Sequence, residues 1–247
     1  MAMKNNISFS KAVERAREGY EDGGIGTFNE KILHRALKFY FEPDDTKHET
    51  EYVGAVADIL NHKGVIEIQT RSFNKLGPKL DRFLPVIPVT VVLPIIETKL
   101  ICRVDIETGE SLPTRKSAKK GKAIDALREL AAIRRYIPND NLTIVLAFVD
   151  VIETRMLKGN IKVGRKRTQK LDCIPTSLNS TLTLKSDKDY FALLPEDLPT
   201  EFSAADFEKL TKIKGIDSHG ALMLLLQLGI ISRERTGRAY TYRINSL

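Results

Sequence analysis

YVGAVADILNHKGVIEIQT, residues 52–70, reads as two strands joined by a tight turn. Val53, Val56, Ile59, Val65, Ile66 and Ile68 supply the β-branched bulk that suits a pleated surface. Asn61-His62-Lys63-Gly64 is a polar run closed by glycine, as a hairpin turn requires. Three polar residues interrupt this apolar ribbon: Asp58, Glu67 and Gln69. A carboxylate in a buried strand costs free energy unless a cation compensates it, either a basic side chain or a metal.

A turn centred near His62 sets residues equidistant from it face to face, so Asp58 comes opposite Ile66 and Glu67. Cross-strand neighbours lie about 5 Å apart, within reach of one shared cation. Glu67 and Gln69 are two apart and share a face of their strand. A hard ion such as magnesium needs only a few carboxylate oxygens and keeps several waters.

Asp58, followed nine residues later by Glu67-Ile68-Gln69, resembles the signature of the PD-(D/E)xK nucleases, which share the restriction-endonuclease-like fold. The resemblance covers about residues 27–97 and implies an order of elements. A helix near Thr27–Phe41 precedes the hairpin, a short helix near Phe73–Phe83 follows it, and an apolar strand, Val89–Ile96, comes next. Two positions depart from the family pattern: Ala57 stands where the proline is usual, and Gln69 where the lysine is. The resemblance implies a metal-dependent endonuclease that hydrolyses phosphodiester bonds of double-stranded DNA. Asp58 and Glu67 would hold Mg2+ (or Mn2+), Gln69 would position the water, and Glu30 would complete the shell. It further implies phosphate contacts from Arg71, Lys75 and Lys79, and a homodimer for cutting both strands. Plainer roles stand beside these. Asp58 can end a strand, Glu67 can pair with a nearby base, and Glu30 can close a capping box with Thr27.

At 247 residues, with 42% hydrophobic content and a net charge of +7, the chain can bury a core and favours a polyanionic partner. The charge is concentrated. Residues 113–170 hold fifteen Lys or Arg against five Asp or Glu, so the rest of the chain is slightly acidic. Two basic, glycine-containing loops carry most of it, with Lys119 and Lys120 in the first and Arg165, Lys166 and Arg167 in the second. Charge concentrated in this way is expected of a DNA footprint, the alternative being two solvated, lysine-rich loops. Only Cys102 and Cys173 occur, without CxxC spacing, which argues against a disulfide scaffold and a zinc site. No signal-peptide core and no apolar run long enough to span a membrane is present, so a cytoplasmic, membrane-free protein is expected. No GxSxG or P-loop string occurs, and the four histidines lack metal spacing.

The remaining chain alternates strands and helices. Ser10 reads as the cap of a loosely packed first helix, Glu42–Glu51 as an acidic loop, and Thr98–Ile106 and Asn141–Val151 as strands. A helix with Ile124, Leu127, Leu130 and Ile133 on its buried face lies between those strands, and Asp189–Leu194 reads as an extended piece. Pro195–Pro199 reads as a linker. Beyond it come helix, turn, helix and hairpin, which looks like a winged helix, with Arg233, Arg235 and Arg238 on the wing. The expected architecture is a mixed α/β (α+β) fold. A restriction-endonuclease-like mixed sheet flanked by helices fills residues 1–194, and a small winged-helix-like domain fills 200–247. The alternative to a nuclease is a catalytically inactive DNA-binding or assembly protein on the same fold.

Overall fold

The computed structural model describes residues 7–18, 29–70, 73–105, 109–157, 168–237 and 239–245. The fold is mixed α+β. Its elements in order are α1 (Phe9–Arg17), α2 (Asn29–Phe41), β1 (His48–Tyr52), β2 (Ala55–Asn61), β3 (Gly64–Ile68), α3 (Gly77–Phe83), β4 (Val89–Asp105) and β5 (Ser111–Lys116). Then follow α4 (Ala126–Leu130), β6 (Leu142–Leu157), β7 (Thr168–Leu184), β8 (Glu201–Ser203), α5 (Ala204–Thr211), α6 (Ile216–Gln227), β9 (Ile231–Thr236) and β10 (Ala239–Ile244).

The main sheet runs β1-β2-β3-β4-β6-β7, with β5 paired to the far part of β4. The first three strands form an antiparallel meander. β3 then pairs parallel to β4 through the crossover that contains α3, β4 pairs parallel to β6, and β7 returns antiparallel to β6. Alternation along the strands divides the core in two. Ile66, Ile68, Val92, Val145 and Val149 pack with α1 and α2. Val65, Val91, Leu93, Ile95 and Leu146 pack with α3, α4 and α6.

Several expected boundaries shift for identifiable reasons. The helix near the N-terminus is capped by Ser8, whose Oγ accepts the Lys11 N–H at 3.3 Å; Ser10 lies inside it. It is also firmly packed, burying Phe9, Ala12, Val13 and Ala16. The acidic stretch 42–51 is only partly a loop, because His48–Tyr52 finds β2 as a partner. The strands expected at 89–96 and 98–106 are one, β4, continuous through an irregularity between Ile96 and Thr98. Part of the first basic loop is β5, and the helix expected after it is broken into α4 between two 3-10 turns. Asp187–Leu193 is a 3-10 helix, not an extended segment, with Ser186 and Asp189 forming its capping box. Of the second basic loop expected at 158–170, residues 168–170 instead open β7, and residues 158–167 lie outside the described residues.

β8, β10 and β9 form a small second sheet after Pro195–Pro199. The core does not stop at that expected linker. Ala221, Leu222, Leu224 and Leu225 of α6 join the same apolar cluster as Leu127 and Leu130 of α4. Among the described residues no helix is long and apolar enough to cross a membrane.

Candidate active site

β2 and β3 pair through Ile59 with Ile66, Leu60 with Val65 and Asn61 with Gly64. One step further, at Asp58 and Glu67, side chains take over from the main-chain ladder. The Asp58 N–H donates to Glu67 Oε1 at 3.3 Å, and the Ile68 N–H donates to Asp58 Oδ2 at 2.7 Å. The other edge of β3 pairs with β4 from Val65 to Ile68, Glu67 lying beside Val91. The two acids therefore sit where the meander opens, Asp58 only 9% exposed and Glu67 only 2%.

Two cationic or protonatable side chains reach them. Lys79 of α3 donates from Nζ to Glu67 Oε2 at 2.7 Å and lies 3.8 Å from Asp58 Oδ1. His34 of α2 places Nε2 3.2 Å from Asp58 Oδ2. Burial, followed by the charge of Asp58, pushes the Glu67 carboxyl up to about 7, although Lys79 pulls the other way. Burial also pushes Asp58 upward, but the His34 hydrogen bond and charge, the Ile68 N–H and Lys79 together hold it below the usual carboxylate range. One carboxylate is thus firmly ionised and the other is poised to exchange a proton near neutrality.

Of the residues singled out from sequence, the structure brings Asp58, Glu67 and Lys79 together. Lys79, expected on a DNA phosphate, has its ammonium on the acids instead. Gln69 lies one residue past β3, its N–H donating to Val92 O at 2.8 Å. Glu30 falls in the first turn of α2, and its side chain lies outside the described residues, as do Arg71, Arg165, Lys166, Arg167 and Arg238. Lys75 is exposed in the 3-10 turn before α3, and Lys119 and Lys120 are exposed between β5 and α4. Arg233 and Arg235 are exposed on β9, with the Arg233 guanidinium stacked 4.6 Å from the Tyr240 ring centre. α6 offers little for reading bases, since Ser218, Ala221, Leu222, Leu224 and Leu225 are buried and Gln227 donates to Arg134 O.

Two features escaped the sequence. His34 gave a faint signal as the polar neighbour of Leu33 on a helix whose next turn, Ala36 and Leu37, is apolar. Glu153 gave a clearer one, as a carboxylate two residues beyond Val151 in an apolar strand, and it is buried between Lys99 and Arg155. Among the described residues no three or more His, Cys, Asp or Glu side chains gather as a metal cluster. A cavity of about 650 Å³ lies at the turn end of the β2–β3 hairpin, beside Glu42, Lys47, His62 and Lys63, and not at the acids.

Residues 31–185 match the family model described as "Domain of unknown function (DUF8091)". The chain belongs to that family. The DUF8091 match opens inside α2 and closes just past β7, so it contains Asp58, Glu67, Lys79 and Glu153, while β8–β10, α5 and α6 lie beyond it. The chain is also similar to an uncharacterized protein of Treponema pallidum (strain Nichols), 28% identical over 224 residues, covering 89% of this chain and 87% of that one. No solved structure matches it.

Proposed function

We propose that this DUF8091 protein is a divalent-metal-dependent endonuclease of DNA, built on a restriction-endonuclease-like core. The observation that carries the reading is the convergence of the Asp58 and Glu67 carboxylates at the opening of the β2–β3 meander, with the Lys79 ammonium upon them. The order of elements supports it: helix α2, meander β1–β3, helix α3, then β4 parallel to β3. The ammonium that Gln69 cannot supply comes from α3 instead, 2.7 Å from Glu67.

The donor set suits a hard cation. Asp58 and Glu67 offer carboxylate oxygens, and magnesium is commonly held by one or two carboxylates with waters filling the rest. A bound Mg2+ or Mn2+ would supply Lewis acidity and a more acidic water. Glu67, with its carboxyl pushed up to about 7, holds or releases a proton in the working range. Lys79 is partly exposed and can face a phosphate oxygen while still touching the acids. His34 orients Asp58 through Oδ2. Exposed Lys75, Lys119 and Lys120 on the core and Arg233 and Arg235 on the winged-helix-like unit supply cations for duplex phosphates. Cutting both strands would take two copies of the chain.

Incubation of supercoiled plasmid with Mg2+ or Mn2+ tests this. Nicking or linearisation by the wild type is expected, with loss in Asp58→Asn, Glu67→Gln and Lys79→Gln proteins that retain their fold. Equal cleavage by all four proteins would refute the reading. A second reading, an inactive DNA-binding or assembly protein, draws on the closed Lys79–Glu67 pair and on Gln69 at the lysine position. Salt-sensitive DNA binding without cleavage would favour it.

A further inference from the structure

Glu153 is only 3% exposed, yet it carries a charge. Lys99 donates to its Oε2 at 2.9 Å, and Arg155 donates from Nε to its Oε1 at 2.6 Å. Burial opposes ionisation here, but these two cations outweigh it and hold the carboxyl below its usual range. One buried carboxylate therefore orients two cations and leaves a net positive charge.

Those cations open into a pocket of about 400 Å³. Lys119 and Arg128 also line it, Asp125 is the sole carboxylate on its wall among the described residues, and Pro94, Ile95 and Ile96 give it an apolar floor. Asp125 is already occupied, accepting the Lys122 N–H at 3.0 Å. Arg128 is paired at 3.1 Å to Asp217, but that pair is well exposed and easily exchanged. The wall is built by close approach. The Gly121 N–H donates to Ile96 O at 2.8 Å, and a Cβ at position 121 would meet that oxygen at 2.6 Å.

The pocket follows the acids along one strand. Val91, the parallel partner of Glu67, shares the α3–α4 face of β4 with Leu93 and Ile95. Three to four residues further along β4, about 10–13 Å, the floor of the pocket begins. A pocket of this size takes a small ligand of roughly nucleotide dimensions. A cationic rim over an apolar floor suits a phosphate joined to a sugar and base.

We propose that this pocket is a nucleotide subsite, holding one nucleotide of the DNA strand engaged at Asp58 and Glu67, with its phosphate on Lys119, Arg128, Lys99 and Arg155. The inference rests on the nuclease reading above for the nature of the strand. Binding of a short labelled DNA duplex is measured in EDTA over a range of salt, for the wild type, Lys119→Gln, Arg128→Gln and, as a control at the turn end of the β2–β3 hairpin, Lys63→Gln. Each pocket variant should weaken binding and lower the slope of log affinity against log salt, by up to about one. The control should keep the wild-type slope, and all four proteins should melt alike. Unchanged slopes in both pocket variants overturn the proposal. So does a wild type that takes up deoxyadenosine monophosphate but no duplex at low salt. The altered slopes in a protein that cleaves no plasmid sustain the subsite and refute only the metal chemistry. Cleavage with unaltered slopes does the reverse.

Discussion

Two acids share one ammonium at the heart of the molecule, and the consequences can be measured. Replacing Lys79 with Met leaves two buried carboxylates facing each other. Breaking a buried pair costs about 3–5 kcal/mol, and the partial exposure of Lys79 lowers that to roughly 2–3 kcal/mol. Urea denaturation at pH 8 should show this loss, and at pH 5 a smaller one, because Glu67 then takes a proton. Glu67 itself gives a pH signature. Its carboxyl rises from an ordinary 4.5 to about 7 on folding, so between those values the folded chain binds more protons than the unfolded one. Stability should therefore fall as pH rises through that window, and Glu67→Gln should flatten the curve. Asp58 acts in the opposite sense and elsewhere. Its stabilisation is present above its ordinary 3.8 and is lost as pH falls below it.

The hairpin that carries the acids depends on its turn. Gly64 adopts φ +129°, and a Cβ there would lie 2.2 Å from Pro88 O, the same oxygen that accepts the Val65 N–H. Gly64→Ala thus combines an unfavourable backbone conformation with a collision against main chain that cannot swing away. A loss of at least about 3 kcal/mol is expected in chemical denaturation as β2 and β3 separate. α5 provides a milder case. Ser203 accepts the Asp206 N–H while the Asp206 carboxylate accepts the Ser203 N–H, so Ser203→Ala should cost about 1 kcal/mol by thermal melting.

Across the molecule, one apolar cluster runs from the α3–α4 face of the main sheet into α6 and the small second sheet, reaching Phe202 and Tyr242. Arg128 of α4 and Asp217 of α6 pair over the same junction. Units joined through a shared core unfold together. Calorimetry should show a single transition, and Leu224→Ala, which opens a cavity in that shared cluster, should lower it as one peak by about 2–5 kcal/mol. A second, independently melting transition for residues beyond 200 would show that this junction contributes little.

Much of this is legible in the sequence. The hairpin, the α3 helix, the strand at 89–96 and the helix–helix–hairpin order at the C-terminus follow from local signals, namely β-branched alternation, a Gly-closed turn, caps and helical spacing. Such signals act over a few residues, so the chain alone specifies them, as it specifies that Asp58 and Glu67 face each other across one turn. The pairing of His48–Tyr52 with β2 was not legible, because an acidic, polar stretch becomes a strand only where a neighbour offers hydrogen bonds. Nor could sequence tell that Lys79 would turn onto the acids, that His34 would meet Asp58, or that Glu153 would gather Lys99 and Arg155 from two strands. All of those contacts but Glu153 with Arg155, two residues apart on β6, join residues far apart in the chain. Long, flexible cations choose among many possible anions only when packing brings one within reach and removes the competing water.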